Sequence, residues 1–592
     1  MIDTLAKVFL NTEKVYQKEA LMLVKREGKY QAISTAEFSR RVRNISSGLR
    51  TLGQKKGDKL IILSENRPEW VMVDLANICL GGVTVPIYTS LTPEQIKYII
   101  NDSEAGILVC SNQSLWEKVA RIKDEIKGVE KFIIIDEPAP AGILTLKEVE
   151  KAGEEYNQKN PEEFDKIALA LERDDLATII YTSGTTGIPK GAMLSHYNLV
   201  NNIQTLRSVV EYTEKDTALS FLPLSHVLER MCTFAWIYVG ATIAYAESVD
   251  TVAENLVEVR PTIMVSVPRL FDKFYARVID NVLSSSTLKK KIFFWALKVG
   301  RKMAQKRMNK EKPSWWLKLR YRLAYKLVFS KIVEKTGGRV RFFVSGGAPL
   351  SRDIAEFFLA MGIIIIEGYG LTETSPVIAL NTLDDFRFGT VGKVLPGEEV
   401  KFAPDGEIWV RGPNVMKGYF KKEEETREAF EDGWFKTGDI GYLDKDGYLV
   451  ITDRKKDIIV TAGGKNVAPQ PIENIIKTSP YIANAVVVGN GRKFVSALIV
   501  PDFDKLEAYA REKGLVYKDR EELVARPEVY EFLMQEIERL TPHLASYEKI
   551  KKIAILPRDF DLEAGELTPT LKVRRKIVEE KYKPIIDKIY QE

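Results

Sequence analysis

Apolar runs alternate with helical patterns along the first third of the chain. The runs at 59–63 and 106–110 are almost entirely apolar, which is typical of buried strands. Helical patterns at 68–80 and 93–100 lie between them. Strands that alternate with helices favour parallel sheets covered by helices. The pattern therefore predicts α/β layers over roughly the first 175 residues.

The pattern changes in the second half of the chain. The turn pairs Asp405-Gly406, Asp432-Gly433 and Asp446-Gly447 separate short alternating runs, which predicts a hairpin-rich β section from 389 to about 459.

The uncharged run 231–246 is shorter than the ~20 residues needed to span a bilayer. Because Gly240 interrupts it, we expect a buried helix that leads into a strand.

A strongly basic segment lies within residues 281–338. Residues 289–335 contain sixteen Lys and Arg but only Glu311 and Glu334 as acids, a local charge of +14. Since the whole chain carries +5, the remainder carries −9. The pattern predicts two amphipathic helices joined near Pro313. Their apolar stripes are Ile292, Trp295, Ala296, Val299 and Met303 on the first, and Trp316, Leu319, Leu323 and Leu327 on the second.

Three interpretations of this basic segment remain open. It can be a solvated face that packs on its own domain, or a surface that contacts anionic lipid, because basic helices that carry Trp suit a membrane interface. Nucleic acid is the third, but no base-reading motif accompanies the charge, so we expect no nucleic-acid partner.

Composition narrows the class of protein. A chain of 592 residues exceeds one core and predicts two or more domains. Apolar content of 45% with 29% charged residues indicates a globular protein. The cysteines Cys79, Cys110 and Cys232 have no paired spacing, which favours a reducing compartment. No basic segment followed by an apolar core opens the sequence, so we expect a cytoplasmic location.

The candidate chemistry centres on the stretch 181–191, which follows the apolar run 177–180. Glycines let backbone N–H groups turn toward an anion, hydroxyls add donors and Lys190 adds positive charge. Such runs are also typical of surface loops, so composition alone leaves both interpretations open. We expect these residues to hold phosphate: Thr182, Ser183, Gly184, Thr185, Thr186, Gly187 and Lys190.

A Walker-type loop is excluded because Lys190 precedes Gly191 instead of leading into Ser or Thr. The whole string instead resembles the phosphate loop of the acyl-adenylate-forming enzymes. This superfamily includes acyl-CoA synthetases, peptide-synthetase adenylation domains and luciferases. Further matches occur in the order that the resemblance requires, and together they cover nearly the whole chain.

The segment 222–230 contains His226, which by composition alone could equally be a buried core histidine. The resemblance places a histidine here beside the acyl carboxylate. Peptide-synthetase domains carry an Asp in this region, but none lies between Phe221 and Val249, which points away from amino acid substrates. The segment 265–271 resembles long-chain acyl-CoA synthetases specifically.

Two glycine-containing junctions follow predicted strands. The first is Gly346-Gly347-Ala348, and the second is the segment 367–374, where the Tyr369 ring can stack on a purine. Strand ends at the carboxyl edge of a sheet are where α/β folds bind ligands. Thr372 and Glu373 can hold a phosphate and a magnesium ion. The second segment closely resembles the superfamily's adenine and magnesium motif, which also includes Gly368 and Gly370.

The remaining roles are implied by the resemblance alone. Asp439 would bind the ribose hydroxyls with Arg454 as its partner, and Gly463-Gly464 would serve the thioester step. Lys572 would act at the attacking and bridging oxygens of the phosphate. Many relatives have Gly before this lysine where Leu571 stands, a departure that resembles the long-chain subgroup.

The implied fold is α/β: a large N-terminal domain of two α/β subdomains with a small β-barrel section, and a smaller mobile α+β C-terminal domain. The expected limits are 1–453, a hinge at 454–457 and 458–592.

The implied activity is ATP-dependent ligation of a fatty acid, of long chain, to coenzyme A, with Mg²⁺ and with Lys572, His226, Thr186 and Glu373 as catalytic residues. Alternatives are a ligase for a medium-chain, aryl or branched acid, one that serves an acyl-carrier protein, or a silent nucleotide- or lipid-binding scaffold. Peripheral contact with the cytoplasmic face of an anionic membrane through 289–335, and a homodimer, remain open.

Overall fold

The computed structural model of the chain describes residues 1–182, 188–562, 564–568 and 572–591. A large N-terminal domain contains two α/β sheets and an antiparallel β section, and a smaller C-terminal domain follows it. The expected fold class is therefore confirmed. The predicted strands at 59–63 and 106–110 and the helices between them are also present.

The first sheet has seven strands among the described residues, and every pair is parallel except the last. In spatial order they are Leu144–Thr145, Lys131–Ile134, Ile107–Cys110, Lys59–Leu63, Val83–Ile87, Leu176–Thr182 and Lys190–Ser195. Its helices are Thr35–Thr51, Pro68–Cys79, Pro93–Ser103, Gln113–Ala120, Lys123–Glu125 (3-10), Leu146–Lys159, Glu163–Leu169 and His196–Val209.

The second sheet is mixed, with nine strands in the described part of the chain. In spatial order they are Lys393–Val394, Val377–Leu380, Ile364–Gly370, Phe342–Ser345, Ile263–Ser266, Thr217–Ser220, Thr242–Tyr245, Met22–Arg26 and Lys29–Ile33. Its helices are Leu5–Val15, Val227–Val239, Val252–Val259, Pro268–Leu283, Arg352–Ala360 and the 3-10 turn Thr372–Thr374. A shared apolar core joins this sheet to one face of the first.

The uncharged run 231–246 forms a buried helix followed by a strand, as expected. Gly240 ends the helix with a φ of +67°, and a Cβ there would lie 2.3 Å from the Tyr16 ring. Only glycine satisfies both requirements. Of the helices in the described ranges, none has both the length and the apolar character required to cross a bilayer.

The β section follows the three predicted Asp-Gly turns. Antiparallel pairing joins consecutive strands around each turn, and the short helix Glu423–Ala429 precedes the third strand. The strands are Glu399–Phe402, Glu407–Arg411, Phe430–Glu431, Trp434–Leu443 and Leu449–Arg454.

The basic segment forms the helices Thr287–Met308 and Trp315–Ala324, then a π-helical turn, Tyr325–Phe329, and the helix Ser330–Glu334. The predicted pair of helices is therefore confirmed, but the two stripes have different fates. Along the first helix, Ala296 and Val299 are buried against the domain. Along the second, Trp316, Leu319, Leu323 and Leu327 remain exposed.

The C-terminal domain contains the hairpin Ile459–Val460 with Asn466–Val467 and the sheet Ile482–Val488, Ser496–Pro501 and Ile553–Ile555. Its helices are Pro469–Ile476, Phe503–Glu512, Arg520–Val524, Pro527–Leu540, Arg575–Lys581 and Lys583–Gln591. It contacts the large domain through a Lys505–Asp280 ion pair and through the Gln470 N–H, which donates to the Asp453 carboxylate.

Candidate active site

The phosphate loop joins two antiparallel strands of the first sheet. Thr182 ends one strand and pairs with Lys190, which begins the next. A Cβ on Gly191 would lie 2.6 Å from Ile179, which explains why glycine follows the lysine. The loop residues Ser183, Gly184, Thr185, Thr186 and Gly187 lie outside the described residues. Their expected phosphate contacts therefore stay predictions.

The flank of this loop meets the predicted magnesium residue through Tyr419. The Lys190 ammonium lies 5.4 Å from the centre of the Tyr419 ring, a cation–π distance. The Tyr419 hydroxyl donates a hydrogen bond of 2.9 Å to Glu373 Oε1. The structure thus places Lys190 and Glu373 on one side of the site. Local sequence patterns do not single out Tyr419, which lies in the loop after the strand Glu407–Arg411.

The strand Ile364–Gly370 carries the predicted adenine motif to the sheet edge. A Cβ on Gly370 would lie 1.7 Å from the Pro376 carbonyl oxygen, so only glycine fits there, and one on Gly368 would lie 2.9 Å from the Leu380 side chain, which would have to move. Between them, the Tyr369 hydroxyl donates to Asp439 Oδ2 at 2.7 Å. Thr372 is half-buried and opens the 3-10 turn that contains Glu373.

Asp439 and Arg454 are cross-strand partners in the β section, and Arg454 Nε lies 3.1 Å from Asp439 Oδ1. Burial raises the pKa of Asp439, while Arg454 and the Tyr369 hydroxyl oppose that rise. Asp439 raises the pKa of Arg454 in return. The predicted ribose carboxylate and its arginine therefore lie together beside Tyr369.

The Gly346-Gly347-Ala348 turn follows the strand Phe342–Ser345, and Gly347 has a φ of +79°. It lies next to the helix that begins after His226, since a Cβ on Gly346 would be 3.1 Å from Leu228. His226 is the N-cap of that helix, and its Nδ1 accepts the Leu228 N–H at 3.2 Å. Burial and the Lys572 ammonium lower the pKa of His226 to about 4, so the imidazole is neutral at pH 7.

Lys572 enters this group from the C-terminal domain. Its Nζ lies 3.9 Å from where a Cβ on Gly347 would be. Although the residue keeps exposed surface, crowding by protein atoms and the Arg454 charge lower its pKa to about 8, against an opposing effect of Asp439. The preceding residue, Leu571, lies outside the described residues.

A buried ion pair supports the site from behind. Arg230, one turn after His226, donates to both carboxylate oxygens of Asp74 at 2.6 and 2.8 Å and to the Thr178 hydroxyl. Arg230 is 2% exposed and Asp74 is fully buried. Thr178 lies in the strand that ends at the phosphate loop. The pair therefore ties the His226 helix to that strand, a link that sequence patterns miss because its partners are distant along the chain.

Gly463 and Gly464 lie at the exposed end of the 459–467 hairpin. The hydrogen bonds of this hairpin run within the C-terminal domain, to Thr461 and Arg492. The structure thus brings His226, Gly347, Tyr369, Asp439, Arg454 and Lys572 together, with Glu373 and Lys190 nearby, and it places Gly463 and Gly464 in a separate hairpin.

This arrangement suits a reaction between two anions. The N-terminus of the 227–239 helix, Lys572, Arg454 and Lys190 all supply positive potential to this group of residues. A neutral His226 can donate a hydrogen bond from Nε2, because Nδ1 is already an acceptor. Tyr369 and Asp439 offer an aromatic face and a hydroxyl acceptor beside these cations.

Comparison with protein families gives two matches. The model described as AMP-binding enzyme matches residues 10–420. The model described as AMP-binding enzyme C-terminal domain matches residues 456–592.

Named relatives resemble nearly the full length. The long-chain-fatty-acid–CoA ligase FadD15 of Mycobacterium bovis is 37% identical over 95% of this chain and 93% of its own. The peroxisomal long chain acyl-CoA synthetase 7 of Arabidopsis thaliana is 34% identical over 95% of this chain and 82% of its own. The crystal structure of the anthranilate CoA ligase AuaEII with anthranoyl-AMP has a TM-score of 0.73 at 20% identity and covers 99% of this chain and 98% of that one. That last likeness concerns the fold alone.

Proposed function

Because the chain belongs to the AMP-binding enzyme family, we propose that it activates a fatty acid with ATP and transfers the acyl group to coenzyme A. Its relatives named as long-chain-fatty-acid–CoA ligases support a long acyl chain as the substrate. The proposed products are acyl-CoA, AMP and pyrophosphate.

One observation carries this proposal: the Lys572 ammonium reaches across from the smaller domain to Gly347, beside His226 and the Asp439–Arg454 pair. A lysine on a surface turn that had no role in the site would not be expected to lie among these groups. In this position it can neutralise charge at a triphosphate that is held by the large domain.

The first half-reaction joins a carboxylate oxygen to the α-phosphorus of ATP and expels pyrophosphate. Since an anion approaches a polyanion, catalysis consists mainly of positioning and charge stabilisation. We assign Lys572 to the attacking and bridging oxygens and His226 to the carboxylate. We assign the 182–190 loop, including Thr186, to the β- and γ-phosphates.

The adenosine would lie on the second sheet's edge. Tyr369 would stack on the purine between Gly368 and Gly370, with Gly346, Gly347 and Ala348 along its other side. The ribose hydroxyls would donate to Asp439, which Arg454 holds in place. Thr372 would contact the phosphate.

Mg²⁺ fits the acid next to the phosphate loop. Magnesium sites commonly use one or two carboxylates together with phosphate oxygens and water. Glu373 would hold it, with the Tyr419 hydroxyl fixing one carboxylate oxygen. Bound there, the ion would neutralise the departing pyrophosphate.

The second half-reaction needs different access to the same acyl carbon. The thiol of coenzyme A attacks that carbon, AMP leaves with the bonding electrons, and the thiol proton goes to solvent. We propose that the smaller domain turns about residues 454–457, so that Lys572 withdraws and Gly463-Gly464 approaches.

The test is AMP release that depends on coenzyme A, measured with acids of C4 to C20 and with several aryl acids. We expect the highest kcat/KM for long chains, because each buried methylene contributes about 0.8 kcal/mol. A maximum for medium-chain, branched or aryl acids would show that the substrate is not a long-chain acid. Acylation of a carrier protein instead of coenzyme A would show that the acceptor is different. If no acid stimulates ATP–pyrophosphate exchange, the protein is a catalytically silent scaffold that binds nucleotide or lipid.

We further propose that the basic segment 289–335 contacts an anionic membrane from the cytoplasmic face. The segment carries a local charge of +14. Trp315 and Trp316 stack on each other and are 65% and 59% exposed. Leu319 and Leu323 continue this apolar stripe along the same helix, and Leu327 extends it into the π-helical turn. Exposed Trp and Leu between basic residues suit the headgroup region, where each basic residue contributes roughly 1 kcal/mol.

Sedimentation with vesicles of phosphatidylglycerol and phosphatidylcholine tests the contact. We expect Trp315→Ser/Trp316→Ser/Leu319→Ser, and deletion of 289–335, to lower binding to anionic vesicles. The matched control Leu169→Ser/Val249→Ser/Val257→Ser, which changes equally exposed residues elsewhere, should bind as the wild type does. Equal and salt-insensitive binding by all variants would contradict the membrane contact. A dimer that the first triple variant dissociates would assign the stripe to a second copy of the chain.

A further inference from the structure

Lys572 is carried by a short hairpin whose described arms are residues 566–568 and 572–574, here called the lysine hairpin. Leu567 and Val573 form its β-bridge. The Arg574 N–H donates to the Glu566 carbonyl at 2.8 Å, and the Thr568 N–H donates to the Lys572 carbonyl at 2.7 Å. Backbone bonds of this kind fix the hairpin's local shape. They do not fix its direction relative to the rest of the domain.

The Glu566 side chain supplies that second constraint. It is fully buried, and Arg558 donates to both of its oxygens at 2.7 and 3.0 Å. Lys581 Nζ lies 2.8 Å from Oε1, and the Tyr582 hydroxyl donates to the same oxygen at 3.2 Å. The Asp561 N–H donates to Oε2 at 2.7 Å.

These partners come from both sides of the hairpin along the chain. Arg558 and Asp561 lie in the segment before the hairpin, while Lys581 and Tyr582 follow it at the end of the helix Arg575–Lys581. A buried carboxylate is stable only when it is paired and hydrogen-bonded, so the side chain has one favourable position. Arg558 and Lys581 lower the pKa of Glu566 to about 2 against the effect of burial, so the group is ionised near neutral pH.

We propose that Glu566 is a positioning residue for Lys572: its buried carboxylate, clamped between Arg558 and Lys581, sets the direction in which the lysine hairpin presents the Lys572 ammonium. The assignment rests on the proposed ligase function. It adds that the clamp serves the adenylation step and not the thioester step, because only the first step uses Lys572.

The decisive variant is Glu566→Gln, which keeps the shape of the side chain. It removes the charge and turns an amide donor toward groups that are themselves donors. We expect ATP–pyrophosphate exchange to fall about 10- to 100-fold, because displacement of a catalytic group by about 1 Å can have that effect. Thioester formation from added acyl-AMP and coenzyme A should stay within about twofold of the wild type, as expected for a group that touches no reacting atom in that step.

A double-mutant cycle excludes a merely structural role. If Glu566 acts through Lys572, then Glu566→Gln should cause no further loss of exchange in a Lys572→Ala background. The matched control is Glu507→Gln, which breaks a Glu–Arg pair with Arg520 in the same domain but away from the lysine hairpin. It should leave both half-reactions unchanged.

Two further variants keep the test decisive if Glu566→Gln does not fold. Lys581→Met should show the same split between half-reactions, and Arg558→Lys, which retains a charge, should show a smaller one. Equal loss in both half-reactions, or additive losses in the cycle, would overturn the assignment. Wild-type protein without pyrophosphate exchange would instead overturn the proposed function, and the assignment with it.

Discussion

The two halves of the site are built in different ways. In the large domain, Tyr369 and Asp439 stand on strands and His226 opens a buried helix, which the Arg230–Asp74 pair ties to its neighbours. In the smaller domain, Lys572 stands on the lysine hairpin, which Glu566 anchors. The difference teaches that damage to the large domain should affect both half-reactions, whereas damage to the lysine hairpin should affect only one.

The substitution Lys572→Ala should give the largest difference between the two half-reactions. We expect adenylation to fall about 10³-fold, because the ammonium stabilises charge that develops in the transition state. Thioester formation from added acyl-AMP should be largely intact. The two half-reactions are measured separately, by pyrophosphate exchange and by acyl-CoA release. Equal loss in both would show that the two halves of the site are not separable.

The opposite test lies in the large domain. Arg230→Met leaves the buried Asp74 carboxylate without its partner, and breaking such a pair costs about 3–5 kcal/mol of the free energy of unfolding. Denaturant unfolding should report that loss, and both half-reactions should weaken together. Arg411→Met breaks the exposed pair with Glu399 and should cost less than about 1 kcal/mol. Similar unfolding midpoints for the two variants would contradict the supporting role of the buried pair.

A pH profile separates the halves without mutation. Lys572 must be protonated to act, and its pKa is lowered from 10.5 to about 8. The kcat/KM of adenylation should therefore fall above pH 8, by about 30-fold at pH 9.5. The thioester step should not show this fall. In Lys572→Ala the decline should disappear, and its persistence there would assign the pKa to another group.

The smallest effect is expected at the contact between the domains. The Lys505–Asp280 pair is about one-third exposed on both sides, so it contributes about 0.5 kcal/mol. Lys505→Ala should lower adenylation about twofold and leave the thioester step unchanged or slightly faster. The swapped variant Lys505→Asp/Asp280→Lys should restore the wild-type ratio of the two rates. No recovery would mean that the ion pair does not bias the domain orientation.

Local chemistry predicts much of the fold. Gly240 and the three Asp-Gly turns mark element ends because few other residues fit those backbone conformations. Periodicity also predicts the helices of the basic segment. It cannot say which apolar stripe is buried, because Ala296 and Leu323 satisfy the same spacing. Only the packing of the first helix on the helix Arg352–Ala360, which a Cβ on Gly300 would obstruct at Ala360, separates them.

Local sequence patterns predict only part of the site, because they do not encode contacts between distant segments of the chain. Tyr369, Asp439 and Arg454 lie together as the motifs lead one to expect. The Arg230–Asp74 pair and the Tyr419–Glu373 bond join segments far apart in sequence, and no local pattern encodes them. The roles of the phosphate loop and of Gly463-Gly464 stay predictions.

The proximity of Lys572 and Arg454 makes the site sensitive to the charge of its ligand. Two cations that lie this close repel each other, and this repulsion adds to the effect of burial in lowering the pKa of Lys572. The negative charge of a bound triphosphate would offset this repulsion, and the repulsion would return when pyrophosphate leaves. The charge of the bound ligand would then set how strongly the Lys572 ammonium is held against the large domain.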